Sequence, residues 1–113
     1  MSEQENLGNL LVSFVDASNG GSILVRNTGA YVSRFKVQFN FQGQIITKDS
    51  GNFTSGVSKA IDIPAEAKDI YLKVEEAWFI ASWSTIFTKN YHDPVTKEFE
   101  IFGTTLNPYW REM

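Results

Sequence analysis

Hydrolytic or transfer chemistry needs a nucleophile or a proton shuttle held within hydrogen-bond reach of its partner, and this chain offers few side chains for either role. His92 is the single histidine, and it lies in the turn-like run Asn90-Tyr91-His92-Asp93-Pro94. With no cysteine anywhere in the chain it has no thiol to activate, so it reads as a solvated loop residue. The absence of cysteine also removes disulfides and Cys-ligated zinc sites. The carboxylates Glu66, Glu75, Glu76, Asp93, Glu98 and Glu100 read mostly as solvent-facing positions, and no two have the spacing of a general acid and base. Neither a glycine-rich phosphate loop nor a metal-ligand spacing occurs. The expectation is a protein that is not an enzyme, with no catalytic residue, no cofactor and no metal.

What remains is chemistry of contact. Trp78-Phe79-Ile80 and Trp83 form either an exposed aromatic segment suited to a bilayer interface or a sugar face, or a bulged strand whose aromatics pack inward. Local sequence favours packing inward, the commoner fate of a Trp-Phe-Ile run in a small protein. Thr105-Leu106 reads locally as a strand end and a turn before Pro108. Pro108-Tyr109-Trp110-Arg111 adds an aromatic pair that caps the core or joins a self-association patch, with capping preferred. Asn52-Phe53-Thr54 fits the N-glycosylation pattern, which is discounted for want of a secretory leader.

The elements that must position these residues are strands. From Tyr31 to Phe41, the residues Phe35, Val37, Phe39 and Phe41 alternate with Arg34, Lys36, Gln38 and Asn40, the period of a strand with one buried face. Gln42-Gly43 interrupts the run before Gln44 to Thr47, which predicts an antiparallel hairpin. Ser22 to Asn27, Ala60 to Ile63, Asp69 to Glu75, Thr85 to Tyr91 and Lys97 to Phe102 are further strands, and Leu10, Val12 and Phe14 mark another candidate. Leu24 and Phe102 break the alternation, as residues do on strands covered from both sides. Seven to eight short strands with frequent turn signals predict an all-β fold, an antiparallel β-sandwich.

A chain of 113 residues, 42% hydrophobic and 14% aromatic, suits a single domain over 1–113 with one core. The formal charge of -3 disfavours nucleic acid, whose backbone is met by clustered Lys and Arg, and it weakens adsorption to anionic lipid. The opening MSEQENLGNLLVSFVD lacks the basic start and long apolar run of a signal peptide. A cytoplasmic protein, or one released without a classical signal peptide and peripheral at membranes, is therefore expected.

Three stretches carry a family resemblance, in the family's order: Gly29 to Phe35 (GAYVSRF), Asp69 to Thr85 (DIYLKVEEAWFIASWST) and Phe102 to Pro108 (FGTTLNP). The first resembles GAYVAQF, the second the strand leading into the undecapeptide ECTGLAWEWWR, and the third WGTTLYP. These belong to the C-terminal membrane-recognition domain of the thiol-activated, cholesterol-dependent cytolysins, and the likeness runs from about Ser22 to Pro108 with Ile63-Pro64 between. The resemblance implies a β-sandwich whose loops at one end meet the membrane. It also implies Thr105-Leu106 as the pair that contacts sterol, Ala30 at the tip of the first loop, and Trp78, Phe79, Ile80 and Trp83 in place of the undecapeptide.

This chain departs from the family pattern in the undecapeptide, where Ala77 stands for the cysteine, no arginine follows Trp83 and one tryptophan is missing. The large pore-forming domains of the toxins are absent from the sequence. The expectation is a non-catalytic binding module for a membrane lipid, a sterol among the candidates, or for a glycan. Its alternative is a structural or protein-interaction sandwich that forms a homo-oligomer or binds a protein partner.

Overall fold

A computed structural model describes residues 20–79 and 81–113. In chain order its strands are β1 (Gly21–Asn27), β2 (Ser33–Phe41), β3 (Gln44–Asp49), β4 (Ser58–Ile63), β5 (Lys68–Trp78), β6 (Ser82–Tyr91), β7 (Thr96–Gly103) and β8 (Pro108–Glu112). They form two four-stranded sheets, ordered β4-β1-β7-β8 and β3-β2-β5-β6. No helix occurs among the described residues. The strand candidate at Leu10, Val12 and Phe14 lies outside the described residues.

Period-two patterning decides which face each strand buries. β2 turns Ser33, Phe35, Val37 and Phe39 inward, β5 turns Ile70, Leu72, Val74 and Glu76 inward, and apart from Glu76 both leave their charged residues outside. From the opposite sheet come Ile23 and Val25 of β1, Ile61 and Ile63 of β4, and Phe99 and Ile101 of β7. Burying each such side chain stabilises the fold by about 1.5–3 kcal/mol, which is why the alternation survives as a three-dimensional core. The β2–β3 turn is a two-residue one. Gln42 and Gly43 both adopt positive φ, 53° and 82°, which matches the twist of a tight hairpin.

Two features were not visible in the alternation. β1 and β7 pair in parallel, from Ser22 with Thr96 to Asn27 with Ile101, so one sheet is mixed rather than wholly antiparallel. A buried face looks the same whichever way its strand runs, and period two carries no direction. The other addition is β8, which completes the first sheet by pairing Phe99 to Gly103 with Glu112 to Pro108. Trp110 of β8 stacks on Phe87 at 4.3 Å between ring centroids and caps the core edge. Phe102, out of step with its strand, is covered on the outer face by Tyr109, whose ring lies 5.8 Å away.

Asn27 steers the chain from the first sheet to the second. Its amide is fully buried and donates to the carbonyls of Tyr31 (2.8 Å) and Phe53 (3.4 Å), while its Oδ1 accepts from the N–H of Gly29 (2.9 Å). Phe53 is held in turn by paired backbone bonds with Ser33 of 2.8 and 2.9 Å, and its buried ring meets Phe35 edge-on at 6.1 Å. One side chain thereby fixes residues 28–32 and residues 50–57 against the same end of the sandwich.

Replacing Asn27 with Ala removes the partner of three backbone groups in a place water does not reach, and is expected to cost about 2–4 kcal/mol in urea denaturation. Phe39→Ala in the core should cost about 3–5 kcal/mol. Ile45→Ala, by contrast, removes a side chain that is 63% exposed on β3 and should shift stability by no more than about 0.5 kcal/mol.

Candidate functional site

The strand order places four connections at one end of the sandwich. β1 ends and β2 begins there, β3 ends and β4 begins there, β5 ends and β6 begins there, and β7, parallel to β1, ends there before turning into β8. Residues 28–32, 79–81 and 104–107 are therefore neighbours by topology, although they are far apart in sequence. Backbone bonds tie them together. The N–H of Ala30 donates to the carbonyl of Gly103 (2.9 Å), and that of Ala77 to the carbonyl of Val32 (2.8 Å).

Local sequence explains each loop. Tyr31 folds its ring back over Gly29, where a Cβ would stand 2.6 Å from the ring, and its hydroxyl donates to the carbonyl of Phe102 (2.8 Å). That phenol is pushed above its ordinary pKa, chiefly by burial and then by the Glu76 charge. Gly103 has φ of 90°, and a Cβ there would lie 2.3 Å from the Asn107 carbonyl, so only glycine lets the chain turn back so closely. The turn closes with reciprocal bonds between Thr104 and Asn107 of 3.1 and 3.2 Å.

Each expected contact residue has a definite place. Ala30 is exposed and forms an isolated bridge with Thr104, one residue before Thr105. Thr105 is half-buried, and Leu106 beside it is 74% exposed. Phe79 is 86% exposed, and its ring lies 5.6 Å from that of half-buried Trp78. Ile80 lies outside the described residues. The two readings of the aromatic segment thus divide between its members, because β5 runs on through Trp78 and β6 starts at Ser82, leaving a tight turn. Phe79 and Ala81 both take positive φ in it, 37° and 61°, an uncommon and strained choice for residues with a Cβ.

Trp83 stands apart from the loop tips. It sits on the outer face of the second sheet under the guanidinium of Arg34, 3.8 Å from the ring centroid. Arg34 is itself held by Glu75 through a 2.8 Å ion pair. No arginine follows Trp83 in sequence, yet one reaches it across two strands, which a linear pattern could not announce.

Sequence reasoning also missed Glu76, which it placed among the solvent-facing carboxylates. The residue is 2% exposed on the inner face of β5, and Oε1 has no hydrogen-bond partner. Burial pushes the carboxyl above its ordinary pKa. The signal was present: Glu76 continues the inward series Ile70, Leu72, Val74 by one further step of two. The other side of this end carries an exposed carboxylate network. Thr28 donates to Glu100 at 2.6 Å and Arg111 makes two contacts with it at 2.6 and 2.8 Å, which hold Glu100 below its ordinary pKa.

Among the described residues no His, Cys, Asp or Glu cluster could hold a metal ion. No helix among them is long and apolar enough to cross a membrane.

Comparison with known proteins gives the same architecture. Among solved structures the chain is similar to the cytotoxin suilysin from Streptococcus suis, with 23% identity, a TM-score of 0.64, and coverage of 83% of this chain and 23% of that one. It is similar to the membrane-binding domain of pneumolysin at 21% identity and TM-score 0.65, covering 83% of this chain and 96% of that domain. Intermedilysin, solved as a disulfide-locked mutant with human CD59, is matched at 23% identity and TM-score 0.64, with coverage of 83% and 24%. The chain thus spans about a quarter of the length of the whole toxins it matches. No curated protein matches the sequence. The family model of the thiol-activated cytolysin β-sandwich domain matches residues 22–109, most of the chain, and the protein belongs to that family.

Proposed function

We propose that the chain is a non-catalytic module that attaches to a membrane surface through the loop end of the sandwich, with Ala30, Trp78, Phe79, Ile80, Thr105 and Leu106 meeting the lipid. The observation that carries this reading is the exposure of two large apolar side chains, Phe79 (86%) and Leu106 (74%), on two of the four loops at that end. Leaving such groups in water gains nothing for the fold, whereas inserting them below the headgroups removes apolar surface from water. In this reading the hydroxyl of Thr105, beside Leu106, is the group that hydrogen-bonds a sterol 3-hydroxyl. Trp83, held under Arg34 on the sheet face, supports the hairpin from behind.

Burying Phe79, Leu106 and part of Trp78 gives roughly 5 kcal/mol after ordering losses. That corresponds to a dissociation constant on the order of 100 μM for one copy. Apolar insertion must carry this contact, since a net charge of -3 gives no general attraction to anionic lipid. Self-association would raise the avidity by placing several loop ends on one surface.

A second ligand class has one observation in its favour. Tyr109 is 55% exposed and stacked on Phe102, with Arg111 two residues after it and exposed Asn107 two residues before it. An exposed aromatic face beside amide and guanidinium donors is the arrangement that a sugar ring requires.

Co-sedimentation with phosphatidylcholine liposomes, with and without cholesterol, separates these readings. Cholesterol-dependent pelleting is expected for the wild-type chain, with a loss of at least about tenfold in Leu106→Asp and in Phe79→Asp. Equal pelleting of wild type and both variants would overturn the loop assignment. Absence of pelleting together with binding to immobilised oligosaccharide, lost in Tyr109→Ala, would move the function to the sugar face.

A further inference from the structure

Arg34 is held more firmly than a surface cation needs to be. Its guanidinium lies 3.8 Å from the centroid of the Trp83 ring, and its Nε donates to Glu75 Oε1 at 2.8 Å. Stacking sets the plane of the group and the Glu75 bond sets its rotation within that plane, so a long side chain is ordered before any ligand arrives. Among the described residues the two Nη atoms have no hydrogen-bond partner. The side chain nevertheless keeps 35% of its surface open to solvent.

The surroundings are cationic, on a chain whose formal charge is -3. Glu75 is shared, since Lys73 Nζ lies 3.6 Å from its other oxygen. Lys36 of β2 stands directly opposite Lys73 of β5 on the same outer face. Like charges placed directly opposite destabilise a strand pair, and a bound anion relieves that repulsion. Asp49 flanks Lys36 on β3, but its Oδ1 accepts from the N–H of Gly51 at 2.8 Å, and no ion pair joins it to Lys36 among the described residues. Three cations therefore gather around the single carboxylate of Glu75.

We propose that Arg34, backed by Trp83 and Lys73, binds the phosphate of a lipid headgroup. This rests on the membrane-contact reading and adds a polar contact to the apolar ones.

The level of the group along the strand supports that ligand. Trp83 pairs with Ala77, two residues before Phe79. At about 3.3 Å per residue, the guanidinium over its ring stands roughly 7 Å behind Phe79. Apolar groups seated at a membrane surface reach about 5–10 Å past the headgroup boundary, so insertion of Phe79 brings the phosphate layer level with Arg34. The two free Nη groups form a fork that matches two phosphate oxygens, a charge-assisted contact that a lysine does not reproduce. One oriented guanidinium needs no anionic surface around it, so a zwitterionic lipid suffices.

The first arm of the test needs no membrane. Dihexanoylphosphatidylcholine below its micelle concentration presents the headgroup in solution. In a nitrogen–proton correlation spectrum the Arg34 Nε–H signal is identified by its loss in Arg34→Gln, and the Trp83 indole signal by its loss in Trp83→Phe. Both signals should shift saturably with this probe in the wild type. The Trp83 shift should vanish in Arg34→Gln, a substitution that restores the glutamine of the resembled motif GAYVAQF. Arg34→Lys, which keeps the charge and loses the fork, should not bring it back. Absence of a shift in the wild type overturns the proposal, and so does a Trp83 shift that persists in Arg34→Gln. Inorganic phosphate, which has no acyl chains to reach Phe79, should need at least about tenfold higher concentration, and equal potency would assign the site to free phosphate instead.

The second arm is pelleting with phosphatidylcholine–cholesterol liposomes, where Arg34→Gln should weaken binding at least about tenfold. A variant that pellets as well as the wild type would overturn the headgroup contact and leave the insertion of Phe79 and Leu106 standing. A saturable shift with the soluble probe but no pelleting would keep the phosphate site and overturn the insertion.

Discussion

Asn27 stands where the chain leaves one sheet for the other, and its buried amide meets three backbone groups that no strand ladder reaches. A sandwich needs such a device, because a crossing segment must pass over the edge of the core without leaving polar backbone atoms dry. With the Tyr31 and Phe53 carbonyls and the Gly29 amide satisfied together, two connections are pinned to one end. The bridge from Ala30 to Thr104 then follows, and so does the backbone bond from Ala77 to Val32. The loop end is thus built from the crossing outward, and its geometry is set before any ligand arrives.

That end divides its aromatic residues by role. Trp110 and Phe87 stack at the core edge, Trp83 is clamped by Arg34, Trp78 is half-buried, and Phe79 alone is left almost bare. Four of the five pack against the scaffold, which is what lets the fifth project. Rigid support of a few exposed anchors limits the entropy lost on attachment, an advantage when each anchor contributes only about 1.5–3 kcal/mol.

The departures from the family's undecapeptide acquire a physical sense in this arrangement. A longer segment with a cysteine and an arginine is replaced by a short turn in which Phe79 and Ala81 accept strained backbone angles. The arginine contact with tryptophan is supplied by Arg34 of β2, reaching over β5 to Trp83 of β6. The carboxylate that opens the motif stays, but inside the sheet, where burial rather than solvent governs its charge. The span matched is about a quarter of the length of the full toxins.

Much of the fold was legible in the sequence. The series Phe35, Val37, Phe39 and Ile70, Leu72, Val74 announced their strands, and Gln42-Gly43 announced a hairpin, because burial repeats every second residue and a tight turn demands particular backbone angles. The motifs around Ala30 and Thr105-Leu106 were legible too, since Gly29 and Gly103 are held by close approaches that no other residue fits. What only the tertiary structure decided concerns partners across the sheets. The parallel pairing of β1 with β7, the guanidinium of Arg34 over Trp83, and the burial of Glu76 depend on which strands lie side by side. Periodicity records which face of a strand is wet or dry but not which strand lies next to it, so those contacts arise only when the sheets close on one another.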